Sequence, residues 1–345
     1  SLKNGLNIKG NFSYPHNTFI LDYKNEINNE TSYAVSVADN LSLTKNIVEL
    51  EFEKIKPEEI IKIIYYQEDV NGDDGLGPWN IYKSIKEKNI KVSIDGHGGD
   101  ELLAGYSGYP RIAMQDCKFP VDFFKWFDLL KIHLKMNEDV NKDEGISKIF
   151  LNTIYKKFKN YLNSNPGKKN NTNVFNQDPL EYSSVEFDNI YNFSNLNKEL
   201  YIDYHYKSMQ MNLRKYDKFS MAHGVECRFP FLDWRLAAYT FSLDSKIKIN
   251  EGFTKKILRD CMKNNLNKKV LNRVKKKGFN PANKLFNNSM FQFINDTLRS
   301  SEFKELDFVN KNKVNNLLNS KNLNLKEVFK YIQIFFILKT FSKGL

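Results

Sequence analysis

Residues 91 to 106 read Lys-Val-Ser-Ile-Asp-Gly-His-Gly-Gly-Asp-Glu-Leu-Leu-Ala-Gly-Tyr: a short β-branched and apolar run, a glycine-rich turn, then two adjacent carboxylates. Gly96, Gly98 and Gly99 permit positive φ and let backbone amides approach a phosphate closely. Asp100 and Glu101, opening a helix, would repel a bare phosphate. They make chemical sense if a divalent cation bridges carboxylate and phosphate, as Mg²⁺ does with hard oxygen ligands. In isolation, a tight strand-to-helix turn whose carboxylates merely complement the helix dipole would look the same.

A second constellation lies at residues 213 to 235, Leu-Arg-Lys-Tyr-Asp-Lys-Phe-Ser-Met-Ala-His-Gly-Val-Glu-Cys-Arg-Phe-Pro-Phe-Leu-Asp-Trp-Arg. Charges this dense among apolar residues are paired or ligand-bound, because burying them singly is costly. The chain has 45 Lys but only 7 Arg, and five of the seven (Arg214, Arg228, Arg235, Arg259 and Arg273) fall in one stretch of sixty residues. A guanidinium fork makes bidentate bonds that an ammonium cannot, so that stretch is expected to hold ion pairs or phosphate and carboxylate contacts. Two further segments follow: Thr254-Lys255-Lys256-Ile257-Leu258-Arg259, and Arg273 to Phe279, which ends in Lys276, Lys277, Gly278 and Phe279.

The elements that must position these residues are legible from periodicity. Thr18–Tyr23, Ile47–Phe52 and Lys91–Ile94 read as strands, and Glu30–Leu41, Pro57–Glu68 and Pro78–Lys88 carry helical spacing. Alternation of this kind predicts a parallel sheet covered by helices, with ligands at the carboxyl ends of its strands. Pro57 followed by Glu58 and Glu59 is a helix start. After Gly105 the pattern becomes long and amphipathic: Val121–Met136, Ile146–Leu162, Glu199–Met221 and Leu325–Phe341 predict a mostly helical remainder. Asn163–Asp178, rich in Asn, Lys, Gly and Pro, reads as a mobile surface loop.

Taken in order, the blocks Asp95 to Glu101 with Gly105 and Tyr106, Met221 to Asp233, Lys255 to Arg259, and Arg273 to Phe279 resemble the synthetase domain of the glutamine-dependent asparagine synthetases and their relatives. That family carries a Ser-Gly-Glu-Gly-Gly-Asp-Glu turn before Gly-Tyr, a Met-Ala…Glu-x-Arg-x-Pro-Phe-Leu-Asp block, Lys-x-Ile-Leu-Arg, and Arg-x-x-Lys-x-Gly-Phe. Four ordered blocks across about 190 residues are hard to obtain by chance. Asn17 to Leu41 also looks like the family's nucleotide strand and its Glu-x-x-x-Ala helix.

The resemblance implies an α/β fold: a parallel sheet of the nucleotide α hydrolase (adenine nucleotide ATP-pyrophosphatase) type, followed by a mostly helical C-terminal half. Residues 1–110 would be a partial ATP-binding layer and 111–345 the helical part of the same domain, without the family's upstream glutamine amidotransferase domain. It implies a ligase that uses ATP and Mg²⁺ to adenylate the side-chain carboxylate of aspartate, with ammonia from glutamine displacing AMP to give asparagine. Lys255 would be the catalytic cation at the α-phosphate. Asp100, with Glu101, would hold the Mg²⁺-pyrophosphate unit, with Asp100 as the metal ligand. Asp95, Gly96, His97, Gly98 and Gly99 align with nucleotide and substrate contacts, and Ile20, Leu21 and Asp22 would lie along the adenine. For Arg214, Asp217, Glu226 and Arg228, structural salt bridges and direct substrate contacts both remain open.

Two departures stand out. His97 occupies the place of a family glutamate, and an imidazole does not simply replace a carboxylate that binds an amino group or accepts a proton. Relatives that act on sugars or cyclise peptides and β-lactams share the adenylation step, so another carboxylate is an alternative. The family's Ser-Gly-Gly-x-Asp-Ser pyrophosphate loop is also missing: the chain's Gly-Gly pair, Gly98-Gly99, belongs to the other motif. With Ser and not Met at position 1, the expectation is a downstream part of a longer protein that is a poor catalyst alone. A non-catalytic scaffold is the competing reading, and retention of Asp100, Glu101 and Lys255 counts against it.

Composition narrows the rest. Hydrophobic residues make up 41% and charged residues 27%, a globular balance that excludes wholesale disorder. No stretch approaches the ~20 apolar residues of a spanning helix. Net charge is +11, but the lysines are scattered, which disfavours nucleic acid as a partner. Cys117, Cys227 and Cys261 suit neither a disulfide framework nor a zinc ribbon, so a reducing cytoplasm is expected. His16, His133, His205 and His223 lack metal-ligand spacing, and no zinc is expected. The partners expected are small molecules, and a homodimer is left open.

Overall fold

The computed structural model describes residues 16–24, 29–72, 75–138, 193–275, 288–307, 309–319 and 325–341. The helix expected over Ile146–Leu162, the loop over Asn163–Asp178 and the stretch from Lys276 to Phe279 lie outside the described residues.

The first strand, β1 (Asn17–Tyr23), leads through helix α1 (Thr31–Asn40) to β2 (Thr44–Leu50). The two strands pair in parallel, with Ile20 opposite Ile47 and Leu21 opposite Val48, the arrangement a helical crossover imposes. The strand expected at Ile47–Phe52 thus begins three residues earlier and ends at Leu50. Phe52 turns into a short 3₁₀ segment, where its ring stacks on Tyr23 at 5.7 Å. Helix α2 (Pro57–Gln67) starts as its sequence predicts, with Pro57, Glu58 and Glu59 in the first turn, and buries Ile60, Ile63 and Ile64 in one stripe.

Next come α3 (Leu76–Glu87), β3 (Val92–Ile94), and the short α4 (Gly99–Leu103) and α5 (Tyr109–Ala113), followed by α6 (Phe123–Met136). The single helix expected over Glu199–Met221 is two, α7 (Asn195–His205) and α8 (Ser208–Ala222). The amides of Tyr206 and Lys207 both donate back to the Ile202 carbonyl, at 2.9 and 3.1 Å, closing α7 before α8 begins.

Strand β4 (Glu226–Arg228) follows, then α9 (Trp234–Ser242), α10 (Ser245–Lys248), α11 (Lys256–Met262) and α12 (Lys268–Leu271). The remaining helices among the described residues are α13 (Asn288–Arg299), α14 (Ser301–Lys304), α15 (Lys311–Leu318) and α16 (Leu325–Phe341). β4 pairs in parallel with β3, Val92 opposite Glu226 and Ile94 opposite Arg228. The fold is therefore mixed α/β, as expected, and the described strands form two separate parallel pairs.

Two apolar cores hold these elements. One joins β1, β2, α2 and α3 to the C-terminal helices through Leu21, Ile63, Trp79, Ile294, Tyr331 and Phe335. The other joins α4 through α9 through Leu102, Trp126, Leu130, Leu200, Met209 and Phe241. Phe219 of α8 meets the Trp79 ring edge-on at 5.9 Å, tying α8 into the first core. Among the described residues no helix is long and apolar enough to cross a membrane.

Candidate active site

The glycine-rich turn leaves the carboxyl end of β3. The Asp95 amide donates to the Arg228 carbonyl at 2.9 Å, extending the β3–β4 ladder by one bond. The Asp95 carboxylate then folds over the turn: Oδ1 accepts the backbone amide of His97 at 3.1 Å and pairs with His97 Nδ1. The imidazole lies against Tyr216, ring centroids 3.9 Å apart, with Phe229 edge-on at 5.8 Å. Gly98 has φ +91°, and a Cβ there would sit 2.8 Å from Leu232. Only glycine lets the chain pass under Phe231 and Leu232 and enter α4.

From the first turn of α4, Asp100 pairs with Lys255, Nζ to Oδ1 at 2.8 Å. Both side chains are mostly covered, 22% and 29% exposed, so the pair sits in a partly desolvated wall and not on an open surface. Three backbone features make this contact. Lys255 is held in the left-handed region (φ 52°) just before α11, and its amide donates to the Leu103 carbonyl at 3.2 Å, docking it on the end of α4. The Gly105 amide donates to the Asp100 carbonyl at 2.8 Å, and a Cβ at Gly105 would overlap both Asp100 Oδ1 and Lys255 Cε.

Glu101 faces elsewhere. Its side chain is buried, accepts the Tyr106 hydroxyl at 2.7 Å and lies 3.4 Å from Ser208 Oγ. Burial, reinforced by the neighbouring Glu101, holds the Tyr106 phenol well above its usual range, so it remains a donor. Asp203, raised by burial, accepts Tyr109 in the same region at 2.8 Å. Glu101 thus anchors the base of α4, while Asp100 faces the cavity.

That cavity, about 590 Å³, is lined by Asp100, Gly105, Thr254, Lys255, Arg259 and Arg273, with Glu30 at the start of α1 and apolar side chains that include Met136, Phe231, Leu258, Met262 and Val270. Arg259 is a staple: it donates to the carbonyls of Thr254 (2.8 Å) and Leu271 (2.6 Å) while its guanidinium covers Phe253. Burial, with Arg273 nearby, lowers its pKa. Arg273 pairs with Glu30 and lies 4.6 Å over the Tyr33 ring, linking α1 to the chain beyond α12.

The remaining expected site residues are not on this wall among the described residues. Leu21 is in the first core, its carbonyl accepting from Thr31 Oγ1 at 3.1 Å. Gly96 stands in open space. Asp217 is exposed on α8. Arg228 pairs with Glu226 on β4, and Arg214 pairs with Asp69, each on the surface. Met136 was invisible as a site residue in the sequence, because nothing local marks a residue brought in from a distant element, whereas Glu30 opens the Glu-x-x-x-Ala segment, Glu30 to Ala34. The clustering of Arg259 and Arg273 was the usable signal for that side of the cavity.

The Asp100 carboxylate is a hard oxygen donor on a cavity wall, which suits a divalent ion completed by phosphate oxygens, although its Oδ1 is engaged by Lys255. Among the described residues no group of three or more His, Cys, Asp or Glu side chains could hold a metal on its own.

The sequence model of the family described as Asparagine synthase matches residues 9–336, spanning all four motif blocks. The chain belongs to the asparagine synthase family. Against the glutamine-hydrolyzing asparagine synthetase 1 of Bacillus subtilis (strain 168) it is 26% identical over 306 residues, covering 83% of this chain and 45% of that protein. The chain therefore spans less than half the length of this asparagine synthase relative. The part it shares contains the Asp100–Lys255 wall.

Proposed function

We propose that this chain carries the carboxylate-activating site of an ATP-dependent amide-forming ligase. The observation that carries the reading is the Asp100–Lys255 pair, held by two backbone hydrogen bonds in the wall of a cavity large enough for substrate. Family membership supports it.

In this reading a substrate carboxylate oxygen attacks the α-phosphorus of ATP and pyrophosphate leaves. A nitrogen nucleophile then attacks the acyl carbon, and AMP departs with the bonding electron pair. Both steps build negative charge on phosphate oxygens, and a fixed cation in a partly dry wall stabilises that charge without reorganising. Lys255 supplies the cation. Asp100 holds its ammonium in place and, with ATP bound, would hold Mg²⁺ against the leaving pyrophosphate. The ion supplies charge neutralisation there. Asp95, Gly96, His97, Gly98 and Gly99 form the turn over which nucleotide and substrate lie. Glu101 positions α4 and Leu21 backs the nucleotide strand, while Asp217 and Arg228, which lie outside the Asp100–Lys255 wall, are given no part in this step. Residues 1–110 and 111–345 act as parts of one synthetase domain.

The relative's name points to aspartate as the carboxylate and glutamine as the source of nitrogen. A specific observation favours a second reading, a different carboxylate: an imidazole, His97, packed by Tyr216 and bonded to Asp95, stands where the family resemblance calls for a glutamate.

ATP–pyrophosphate exchange on the full-length protein, with Mg²⁺ and a panel of carboxylates that includes aspartate, tests the ligase. Exchange is expected to depend on the carboxylate and to fall about 100- to 1,000-fold in Lys255→Ala. Absence of exchange with every carboxylate would leave a non-catalytic scaffold as the better description.

A further inference from the structure

The His97 imidazole has no part in the adenylation step, yet its surroundings are built with care for its two nitrogens. Nδ1 pairs with the Asp95 carboxylate, which also accepts the His97 backbone amide at 3.1 Å, so ring and carboxylate are fixed to each other within one turn. Nε2 makes no hydrogen bond among the described residues, and it is not sealed in, since 22% of the side chain stays exposed. The ring also rests on a shelf. Tyr216 of α8 lies 3.9 Å away between centroids, and Phe229 closes the edge at 5.8 Å. Tyr216 is backed at 6.4 Å by the buried ring of Tyr82 in α3, whose hydroxyl donates to Cys227 Sγ at 3.2 Å. A histidine that merely filled a turn would need none of this support.

A carboxylate on Nδ1 selects the neutral tautomer with its proton there and leaves the lone pair on Nε2. It also stabilises the imidazolium that forms once Nε2 takes a proton. An imidazole oriented in this way by a carboxylate, with its second nitrogen open, is the arrangement of a general base and its orienting partner. The place suits the role: the turn leaves the carboxyl end of β3, and Asp100, three residues on, lines the cavity. Amide formation needs such a base. The attacking nitrogen forms the carbon–nitrogen bond with its lone pair and becomes cationic in the tetrahedral adduct, and until it sheds a proton it departs again as readily as AMP.

We infer that His97 is the base of the amide-forming step and that Asp95 is its positioning residue. Nε2 takes one proton from the attacking nitrogen while the carbonyl re-forms and the bond from the acyl carbon to the AMP oxygen breaks, the electron pair leaving with AMP. The imidazolium, held by Asp95, then returns its proton to water. This assignment rests on the ligase reading and adds to it the proton acceptor of the second step.

The two half-reactions separate the outcomes. On the full-length protein with Mg²⁺ and the carboxylate that best supports exchange, ATP–pyrophosphate exchange reads adenylation, and amide formation from ammonium chloride reads the second step. His97→Gln should lower amide formation about 100-fold more than it lowers exchange, the low end of what a positioned base contributes. Asp95→Asn, which favours the wrong tautomer, should act in the same direction. With hydroxylamine, a weaker base whose adduct gives up its proton more easily, the excess loss should shrink to less than about 10-fold. Equal losses with the two nucleophiles would mark the substitution as merely structural and overturn the role. Equal losses in exchange and amide formation would overturn it too, since His97 would then contact the nucleotide or the carboxylate as a donor. Nitrogen-15 spectra of the imidazole in alkaline buffer, with His97→Gln to assign the signal, read the pair without any activity: protonation at Nδ1 that shifts to Nε2 in Asp95→Asn is expected, and protonation at Nε2 in the unsubstituted protein would refute the pairing. No exchange with any carboxylate would remove the ligase reading and this role together.

Discussion

Lys255 reaches Asp100 because the backbone around both residues sets the two side chains next to each other. The lysine sits at φ 52°, a strained region for a residue with a Cβ, and its amide is tied to Leu103. Opposite it, Gly105 vacates the space that the two side chains fill. Gly105→Ala is therefore expected to lower exchange activity by about 100-fold, the scale of loss when catalytic groups are displaced by about an ångström. Circular dichroism and the urea midpoint, measured beside it, separate displacement of the pair from loss of the fold at this buried position. Wild-type exchange rates in this variant would show that the pair is incidental. At this scale the sequence was informative about residue type and chain position. It could not tell Asp100 from Glu101, adjacent carboxylates that one turn of helix sends to different surroundings: one to the cavity, the other to Tyr106.

At the level of elements, the site depends on short helices that would not persist alone. α4 has five residues and α11 seven, lengths at which an isolated helix is unstable in water, so packing fixes them. Helix α7, against which α4 packs, is fixed at its start by Asp116. That carboxylate accepts from the Asn195 amide (2.7 Å), the Asn195 side chain (2.8 Å) and the Leu196 amide (3.1 Å), while Ser194 caps the Asn197 amide. Asp116→Ala removes charge-assisted bonds to the positive end of the helix and is expected to destabilise by about 1–3 kcal/mol. Urea unfolding should show a lower midpoint at unchanged slope; an unchanged midpoint would refute the capping role. Periodicity located α1, α2, α6 and α16 within about two residues of their observed ends. It fused α7 with α8, because the apolar spacing runs on through a break made by backbone bonds to Ile202.

Across the whole molecule, stability carries one unusual load. Lys248 is fully buried, its Nζ donating to Asn197 Oδ1 at 2.8 Å and lying 5.4 Å from the Phe241 ring centroid. Burial, partly opposed by Asp244, pushes its pKa down from 10.5 to about 8. The direction of the linkage follows. Between those two values the unfolded chain binds a proton that the native chain has released, so stability rises with pH across the window. Below it the native state bears the full penalty of a buried charge, about 3 kcal/mol. Lys248→Met should therefore raise unfolding free energy at pH 7 by about 1–3 kcal/mol, after loss of the Asn197 bond, and the gain should shrink toward pH 10. Urea titrations at the two pH values measure it, and equal gains at both would contradict the buried-charge origin.

The sequence by itself determined the chemistry on offer and its order: a glycine-rich turn with Asp100, a lysine ahead of Ile257-Leu258-Arg259, an arginine cluster, and an α/β alternation giving way to helices. These are local signals, set by backbone freedom, charge and apolar period over a few residues. Only the tertiary structure decided that β4 from the second half pairs with β3, that Arg273 meets Glu30, and that Asp100 and Lys255 share the wall of one cavity. Those contacts join residues far apart in the chain, and they form because burying two cores leaves these surfaces nowhere else to go.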